Sequence, residues 1–485
     1  MSSDDPVVSE LLSALIPKVR SCSEQFKGQE VANALYGLQG MSSDDPVVSA
    51  LLSALIPKVR SCSDQFTGQH VAMALYGLQG MSSDDPVVSE LLSALIPKVR
   101  SCSEQFKGQT VANALYGLQG MSSDDPVVAE LLSALIPKVR SCSEQFTGQA
   151  VANALYGLQG MSSDDPVVSE LLSALIPKVR SCSEQFTGQH VANALYGLQG
   201  MSSDDPVVSE LLSALIPKVR SCSEQFTGQH VANALYGLQG MSSDVHEVVD
   251  MLVVLFQKAQ IIKLRLTAQG IGNALYGLQN IKYEVSRDFT DALVSQMFHR
   301  DIEDATFYSD LKGYTSLIVA LNSLLQSGAY NSAPWLSKIE DVLANLTVAL
   351  ERRPCPVSRS KSAMQIVSIA ESVSWENIEE GGGITVEVTS NAWLHGFKAD
   401  IVLKVSKQTS AHTASSDTVA IINVEIDGPH RRRKKSRNFC KIRDERMRLE
   451  GIRVARWDLV GMQRKGLTNK KSEIEKLFLA EVRSV

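Results

Sequence analysis

One 40-residue string governs what this chain can fold into. Residues 1 to 40 recur six times through residue 240 with 34 of 40 positions unchanged, and a seventh, diverged copy spans residues 241 to 280. Residues 161 to 200 and 201 to 240 are identical. A unit this short cannot bury its apolar side alone, so a fixed period of this kind commits each copy to stacking on its neighbours. The expected architecture over residues 1–280 is an α-solenoid of seven 40-residue helix-pair repeats.

Within the unit, Ser3-Asp4-Asp5-Pro6 reads as a helix cap with proline near the first helical position, and Val8, Leu11, Leu12, Leu15 and Val19 follow at helical spacing. Pro17 lacks an amide donor and disfavours helix at Ile16, so this first helix is expected to kink or break there. A second helix follows Lys27, or Thr67 in the second copy. Val31, Ala34, Leu35 and Leu38 share one of its faces, and Gly40 can end it. Cys22, Cys62, Cys102, Cys142, Cys182 and Cys222 obey the period, so they mark the repeat and are expected as small buried hydrophobes without catalytic use.

The copies differ at positions 9, 10, 24, 27, 30 and 33 of the unit, and position 30 changes most: Glu30, His70, Thr110, Ala150, His190, His230 and, in the seventh copy, Gly270. At 100° per residue this position lies beside Asn33 and Gly37 and away from the apolar face, so a polar, exposed stripe is expected. Modular RNA readers present such a stripe and take one unpaired base per helical repeat. Glu30, His70, Thr110, Ala150, His190 and His230, with Asn33, Asn113, Asn153, Asn193 and Asn233, are therefore candidate base contacts. A competing account has position 30 drifting freely in solvent, while the asparagines form a hydrogen-bonded ladder between repeats. Tyr36, Tyr76, Tyr116, Tyr156, Tyr196, Tyr236 and Tyr276 form a second column, either a platform for bases or packing against the next repeat with hydroxyls at the rim.

Charge is distributed unevenly. Residues 1–240 hold 14 Lys and Arg against 24 Asp and Glu, a net −10 that opposes a phosphate backbone. Residues 431–471 hold 16 basic and four acidic residues, net +12, opening with Arg431-Arg432-Arg433-Lys434-Lys435. Such a run can be a solvated face or a nuclear-import signal; here it points to nucleic acid. The whole chain, at 44% hydrophobic residues and a net charge of −6, has the composition of a globular protein. No apolar run approaches the ~20 residues that span a bilayer, so no membrane partner is expected. Nothing at the N-terminus reads as a cleavable leader.

Residues 284–302, 309–326 and 334–352 carry helical spacing, giving capping helices over 281–352. Pro354 and Pro356 open a linker with a short helix over 353–382. A small α/β domain is expected over 383–485. Counting the short helix near 361–373, the order is αβββαβα, with strands at 384–388, 399–405, 418–426 and 452–457 and helices at 437–450 and 471–482.

Asn423-Val424-Glu425-Ile426-Asp427-Gly428-Pro429-His430, then Lys441-Ile442-Arg443-Asp444, Leu449, Gly451-Ile452-Arg453-Val454 and Trp457, resembles the RAP domain, an RNA-binding module of organelle proteins, over about the last 65 residues. The 40-residue units look like the helical repeats of some algal and related RAP proteins and are broadly similar to octotricopeptide repeats. Together these resemblances imply a nucleus-encoded factor for mitochondrial or chloroplast RNA processing, stability or translation. Its solenoid would contact single-stranded RNA. Arg431, Arg432, Arg433, Lys434, Lys435, Lys441, Arg443 and Arg453 would contact the backbone.

RAP domains also resemble the restriction-endonuclease-like fold, which raises cleavage as a second reading. Glu425 and Asp427 alternate onto one strand face, and Asp400 on the preceding strand can join them around Mg²⁺. Asp427 stands where that superfamily's motif carries lysine, and the segment after Gly428 is one residue shorter than the usual RAP pattern. Asp400, Glu425 and Asp427 are catalytic candidates under that reading alone, and Mg²⁺ is the one cofactor it would need. Otherwise these carboxylates hydrogen-bond to Arg443 or Arg453 and hold the domain together. An RNA-binding organelle factor leads, a site-specific metal-dependent ribonuclease is second, and a protein-interaction solenoid is third.

Overall fold

The Asp-Pro pair that opens each unit starts a helix as its chemistry requires. In the second copy the Asp45 carboxylate accepts a hydrogen bond from the Val47 amide at 2.8 Å, and Pro46 occupies a position whose amide has no helical partner to lose. The structure, a computed structural model, describes residues 5–224, 226–259, 266–298, 311–353, 366, 370, 384–394, 397–408, 416–427, 434–458 and 471–483. It divides into two compact units. One contains the repeats, the helix after them and Ser327–Ala333; the other contains the next two helices and a mixed sheet.

In the first unit the opening helix of each copy is α1 (Pro6–Ser21), α3 (Pro46–Ser61), α5 (Pro86–Ser101), α7 (Pro126–Ser141), α9 (Pro166–Ser181), α11 (Pro206–Ser221) and α13 (His246–Ala259). The closing helix is α2 (Gly28–Tyr36), α4 (Gly68–Tyr76), α6 (Gly108–Tyr116), α8 (Gly148–Tyr156), α10 (Gly188–Tyr196), α12 (Gly228–Tyr236) and α14 (Ala268–Gly277). Opening helices pack on opening helices and closing helices on closing helices, which makes two layers. The core takes Val48, Leu52, Leu55 and Val59 from one layer and Val71, Leu75 and Leu78 from the other, and the equivalents in later copies are also buried. Each such side chain contributes about 1.5–3 kcal/mol of burial. Cys62, Cys102, Cys142, Cys182 and Cys222 are buried as expected.

The expected break at Pro17 does not occur: every proline-containing opening helix runs unbroken through its proline to the serine four residues on. Pro57 and Ser53 both lie on the exposed side, so the Ser53 carbonyl that loses its amide partner faces water instead of the core. That placement lowers a cost of about 3 kcal/mol for proline in a helix interior.

Polar contacts between copies seal the helix ends. Lys58 donates to the carbonyl of Cys22, the C-cap of the preceding opening helix, and Lys98, Lys138, Lys178, Lys218 and Lys258 repeat the contact. At the other polarity, the first amide of each of the first five closing helices is capped by an acid of the following copy. Gly68 donates to Glu104 at 2.6 Å, Gly108 to Glu144 at 2.7 Å and Gly148 to Glu184 at 2.9 Å. Cations thus sit at helix C-termini and anions at N-termini, where the helix dipole favours each. Gly117 permits backbone contact between consecutive closing helices: a Cβ there would lie 2.1 Å from the Leu75 carbonyl oxygen.

After the seventh copy, α15 (Tyr283–Phe298) packs on α14, with Phe289 stacked on Phe256 at 4.2 Å. The fully buried Tyr330 donates its hydroxyl to the Leu278 carbonyl at 2.9 Å.

The second unit holds α16 (Leu311–Ser327), α17 (Leu336–Glu351), β1 (Ile384–Leu394), β2 (Phe397–Gln408), β3 (Ser416–Asp427), α18 (Lys434–Leu449), β4 (Arg453–Asp458) and α19 (Lys471–Arg483). The sheet order is β1-β2-β3-β4. The first three strands are antiparallel, and β4 pairs parallel to β3 after the crossover through α18. Ile401, Leu403, Ile422, Val424 and Trp457 form a core with Ile474 and Phe478 of α19 and with the helical residues Ile366 and Ala370. The αβββαβα order stands, with the first three strands longer than the spacing suggested. Of the segment 353–382, only Arg353, Ile366 and Ala370 fall within the described residues.

Candidate nucleic-acid interface

Two positions of the closing helix, 29 and 33, lie one turn apart and so share a face. In the second and third copies they line a groove of about 520 Å³ whose walls include Tyr36, Gln69, Met73, Gln109, Thr110 and Asn113. The glutamines at position 29 are exposed in every copy, and the asparagines at position 33 are half-buried in the third to seventh copies. Gln109 donates its amide to Asn113 Oδ1 at 2.7 Å, and Gln189 does the same to Asn193 at 2.6 Å. The asparagine bonds therefore run within one helix, not between repeats, because the partner four residues back stands on the same face. They leave Asn113 and Asn193 Nδ2 without a protein partner among the described residues.

Position 30 differs from expectation. Only Glu30 is exposed; His70, Thr110, His190 and His230 are half-buried and Ala150 is buried. The cause is the preceding copy: a Cβ on Gly28 would lie 2.9 Å from His70 Nδ1, and one on Gly188 2.6 Å from His230 Nδ1. Each histidine also meets the phenylalanine of its own copy edge-on, as His70 does Phe66 at 5.9 Å. His70 Nδ1 accepts a long bond from the Thr67 amide at 3.4 Å, while Thr67 Oγ1 accepts from the His70 amide at 3.2 Å. In the first copy Glu30 takes the Lys27 amide at 2.8 Å. This reciprocal capping uses the polar atoms of position 30 to start the helix, and its signal was present in the spacing Thr67-x-x-His70. Burial holds the His190 and His230 imidazoles below their ordinary pKa, opposed by Glu224 at both and by Glu184 at His190.

The tyrosines form a continuous column from Tyr36 to Tyr276, with ring centroids 5.4–5.8 Å apart and planes inclined by 18–30°. Each inner ring has a neighbour on both faces, so the column packs upon itself and offers a ligand only its edges. Burial, then neighbouring tyrosines, pushes the Tyr116 hydroxyl up, and burial does the same at Tyr236, which keeps them neutral. Burial likewise raises the thiols of Cys102, Cys142, Cys182 and Cys222.

In the second unit, Glu425 and Arg443 form an ion pair at 2.7 Å with side chains only 6% and 8% exposed. Asn423 donates to Glu425 at 2.7 Å. Asp400, one residue beyond the last β2–β3 pair, accepts from the Ile426 amide at 2.9 Å. Asp400 and Glu425 share a face as expected, but a guanidinium meets Glu425 where a hard cation would need converging oxygens. These residues do not fit Mg²⁺, and among the described residues no three His, Cys, Asp or Glu side chains could hold a metal. Arg443, expected to contact RNA, is turned inward; Arg453 pairs with Glu481 at 3.0 Å, and Lys441 is exposed. His430, Arg431, Arg432, Arg433 and the side chains of Asp427, Lys434 and Lys435 lie outside the described residues.

Sequence comparison gives two family matches. Residues 10–35 and 90–115 match a family of unknown function, DUF1601. No curated protein matches the chain. Residues 118–324, running from the third copy into α16, are similar to the N-terminal domain of the Tbc2 translation factor.

Proposed function

We propose that the protein is an RNA-binding factor acting in organelle RNA processing, stability or translation, with the closing-helix face of the solenoid taking single-stranded RNA. The observation that carries this is the groove across copies two and three, lined by the Gln109–Asn113 amide pair, whose counterpart Gln189–Asn193 stands two copies on. Unpaired bases are read by hydrogen bonds to their exposed edges, and fixed amides supply such bonds without charge. The similarity to a translation factor's N-terminal domain over the same repeats supports the assignment. Lys27 and Lys107 are exposed at the start of their closing helices and can meet phosphate. The basic segment 431–471, in the part that resembles a RAP domain, adds the larger backbone contact, with a mitochondrial or chloroplast address following from that resemblance.

Fluorescence anisotropy of the full chain with labelled 12-nucleotide RNA tests this. Single strands should bind and a duplex of the same length should bind at least tenfold more weakly. Replacing Arg431, Arg432, Arg433, Lys434 and Lys435 with glutamine should flatten the salt dependence by up to about 0.7 per lost phosphate contact. Equal binding of duplex and single strand would defeat the assignment of the groove, and absence of RNA binding would defeat the function.

A further inference from the structure

We infer that the solenoid reads a run of one repeated base, and that the residues reading it are the pair at positions 29 and 33, glutamine and asparagine in every copy but the second, not the more variable position 30. This rests on the RNA-binding reading above. The pitch of the array follows from a glycine. Because no Cβ fits at Gly77, Gly117, Gly157, Gly197 or Gly237, consecutive closing helices touch backbone to backbone, and the tyrosine column one turn from position 33 advances 5.4–5.8 Å per copy. That step exceeds the ~3.4 Å rise of a stacked strand, so a strand in register with the repeats has its bases separated and their edges open.

Every copy but the second then carries the same two side-chain amides one turn apart. In the first, third and fifth copies a Gln-to-Asn bond fixes both, leaving Asn Nδ2 as a donor and Gln Oε1 as an acceptor. A base that matches this pair in one copy matches it in the next. The histidines at position 30 do not break the uniformity, because His70, His190 and His230 are wedged over the preceding copy with Nδ1 turned to the helix start. Met73 is the exception: Gln69 meets only its sulfur, at 3.9 Å, so the second copy offers no asparagine donor and tolerates any base. The ligand class is a homopolymeric single-stranded tract with one indifferent position.

The test is anisotropy of the full chain with eight-nucleotide oligo(A), oligo(U), oligo(C) and mixed sequences of equal length. One homopolymer should bind at least tenfold tighter than every mixed sequence that departs from it at three or more positions. Asn113→Ala should weaken that homopolymer by roughly 2- to 12-fold and Met73→Asn should strengthen it by a similar factor, the range of one net hydrogen bond. His190→Ala with His230→Ala should leave the order of preference unchanged, and Ala150 shows that alanine is accommodated at this position. A mixed sequence preferred over all homopolymers, or a preference altered by the histidine changes, would overturn the inference. RNA bound with no sequence preference and no effect of Asn113→Ala would overturn it while leaving RNA binding intact; no RNA bound at all would overturn both.

Discussion

The two units hold their charges in opposite ways. In the solenoid, ion pairs such as Arg100–Glu130 sit half in water, and the lysine and glutamate caps recur at successive seams. In the sheet unit one pair, Glu425–Arg443, is almost wholly out of water and, among the described residues, has no duplicate. A repeated, exposed contact is individually weak and its loss is local, whereas a single buried pair leaves an uncompensated charge when either partner is removed.

The sharpest way to break that contrast is Arg443→Met. Stranding Glu425 in the interior should cost about 3–5 kcal/mol, read as loss of the sheet unit's transition in chemical denaturation. Pairing it with Glu425→Leu should recover most of the loss, because the cost lies in the orphaned charge and not in the missing bond. A penalty below about 1 kcal/mol would mean that water reaches Glu425 and that the two units do not differ in this respect.

Next in size is Gly157→Ala. Its Cβ would lie 2.1 Å from the Leu115 carbonyl oxygen, a backbone atom that cannot swing aside, so overpacking should cost about 2–3 kcal/mol. Because repeats couple to nearest neighbours, the damage should stay at one seam: hydrogen exchange should rise in α6 and α8 while α2 and α12 keep their protection. Uniform loss of protection would show the solenoid to be one cooperative block.

That locality also explains what was legible in advance. The buried face at Val31, Leu35 and Leu38 follows from periodicity within one helix, and the succession of strands and helices along the sheet unit follows from local patterning. Contacts between residues 36 apart, such as Lys98 on the Cys62 carbonyl, depend on how copies lean on each other, which helical periodicity within one copy does not encode. Pro17 was misjudged because its cost depends on which side of the helix it faces. Position 30 was misjudged because a helical wheel of one copy omits the neighbour that covers it, although the capping-box spacing was there to be read. Asp400 and Glu425 share a face of the sheet, as strand alternation implies. That Arg443 would take Glu425 out of reach of a cation was one of two options the residues allowed.

A smaller effect tests the seams by pH. His190 and His230 lie below the ordinary value of 6.5 because of burial, so the folded chain favours their neutral form while the unfolded chain binds protons first as pH falls. Their contribution is fully present above pH 6.5 and is lost as pH drops through it. Melting temperature should therefore decline from pH 7.5 to 5.5, and His190→Ala with His230→Ala should flatten the decline. An unchanged slope would assign it to other groups, Glu184 and Glu224 being the charged neighbours that face these rings.

The smallest effect comes from a substitution the chain already carries. Arg60, Arg100, Arg140 and Arg180 each meet the glutamate at position 10 of the following copy at 2.9 Å, but the second copy has Ala50 there, so Arg20 lacks that partner. Ala50→Glu should restore a pair whose side chains elsewhere are about half exposed, contributing about 0.2–1 kcal/mol, from which the slightly lower helix propensity of glutamate subtracts. The net gain should be near the detection limit at low salt and vanish at 1 M salt, where screening acts within ~3 Å. A gain well above 1 kcal/mol that survives high salt would show these surface pairs to be effectively desolvated, and the contrast between an exposed, redundant solenoid and a buried, singular sheet pair would fail at the solenoid end.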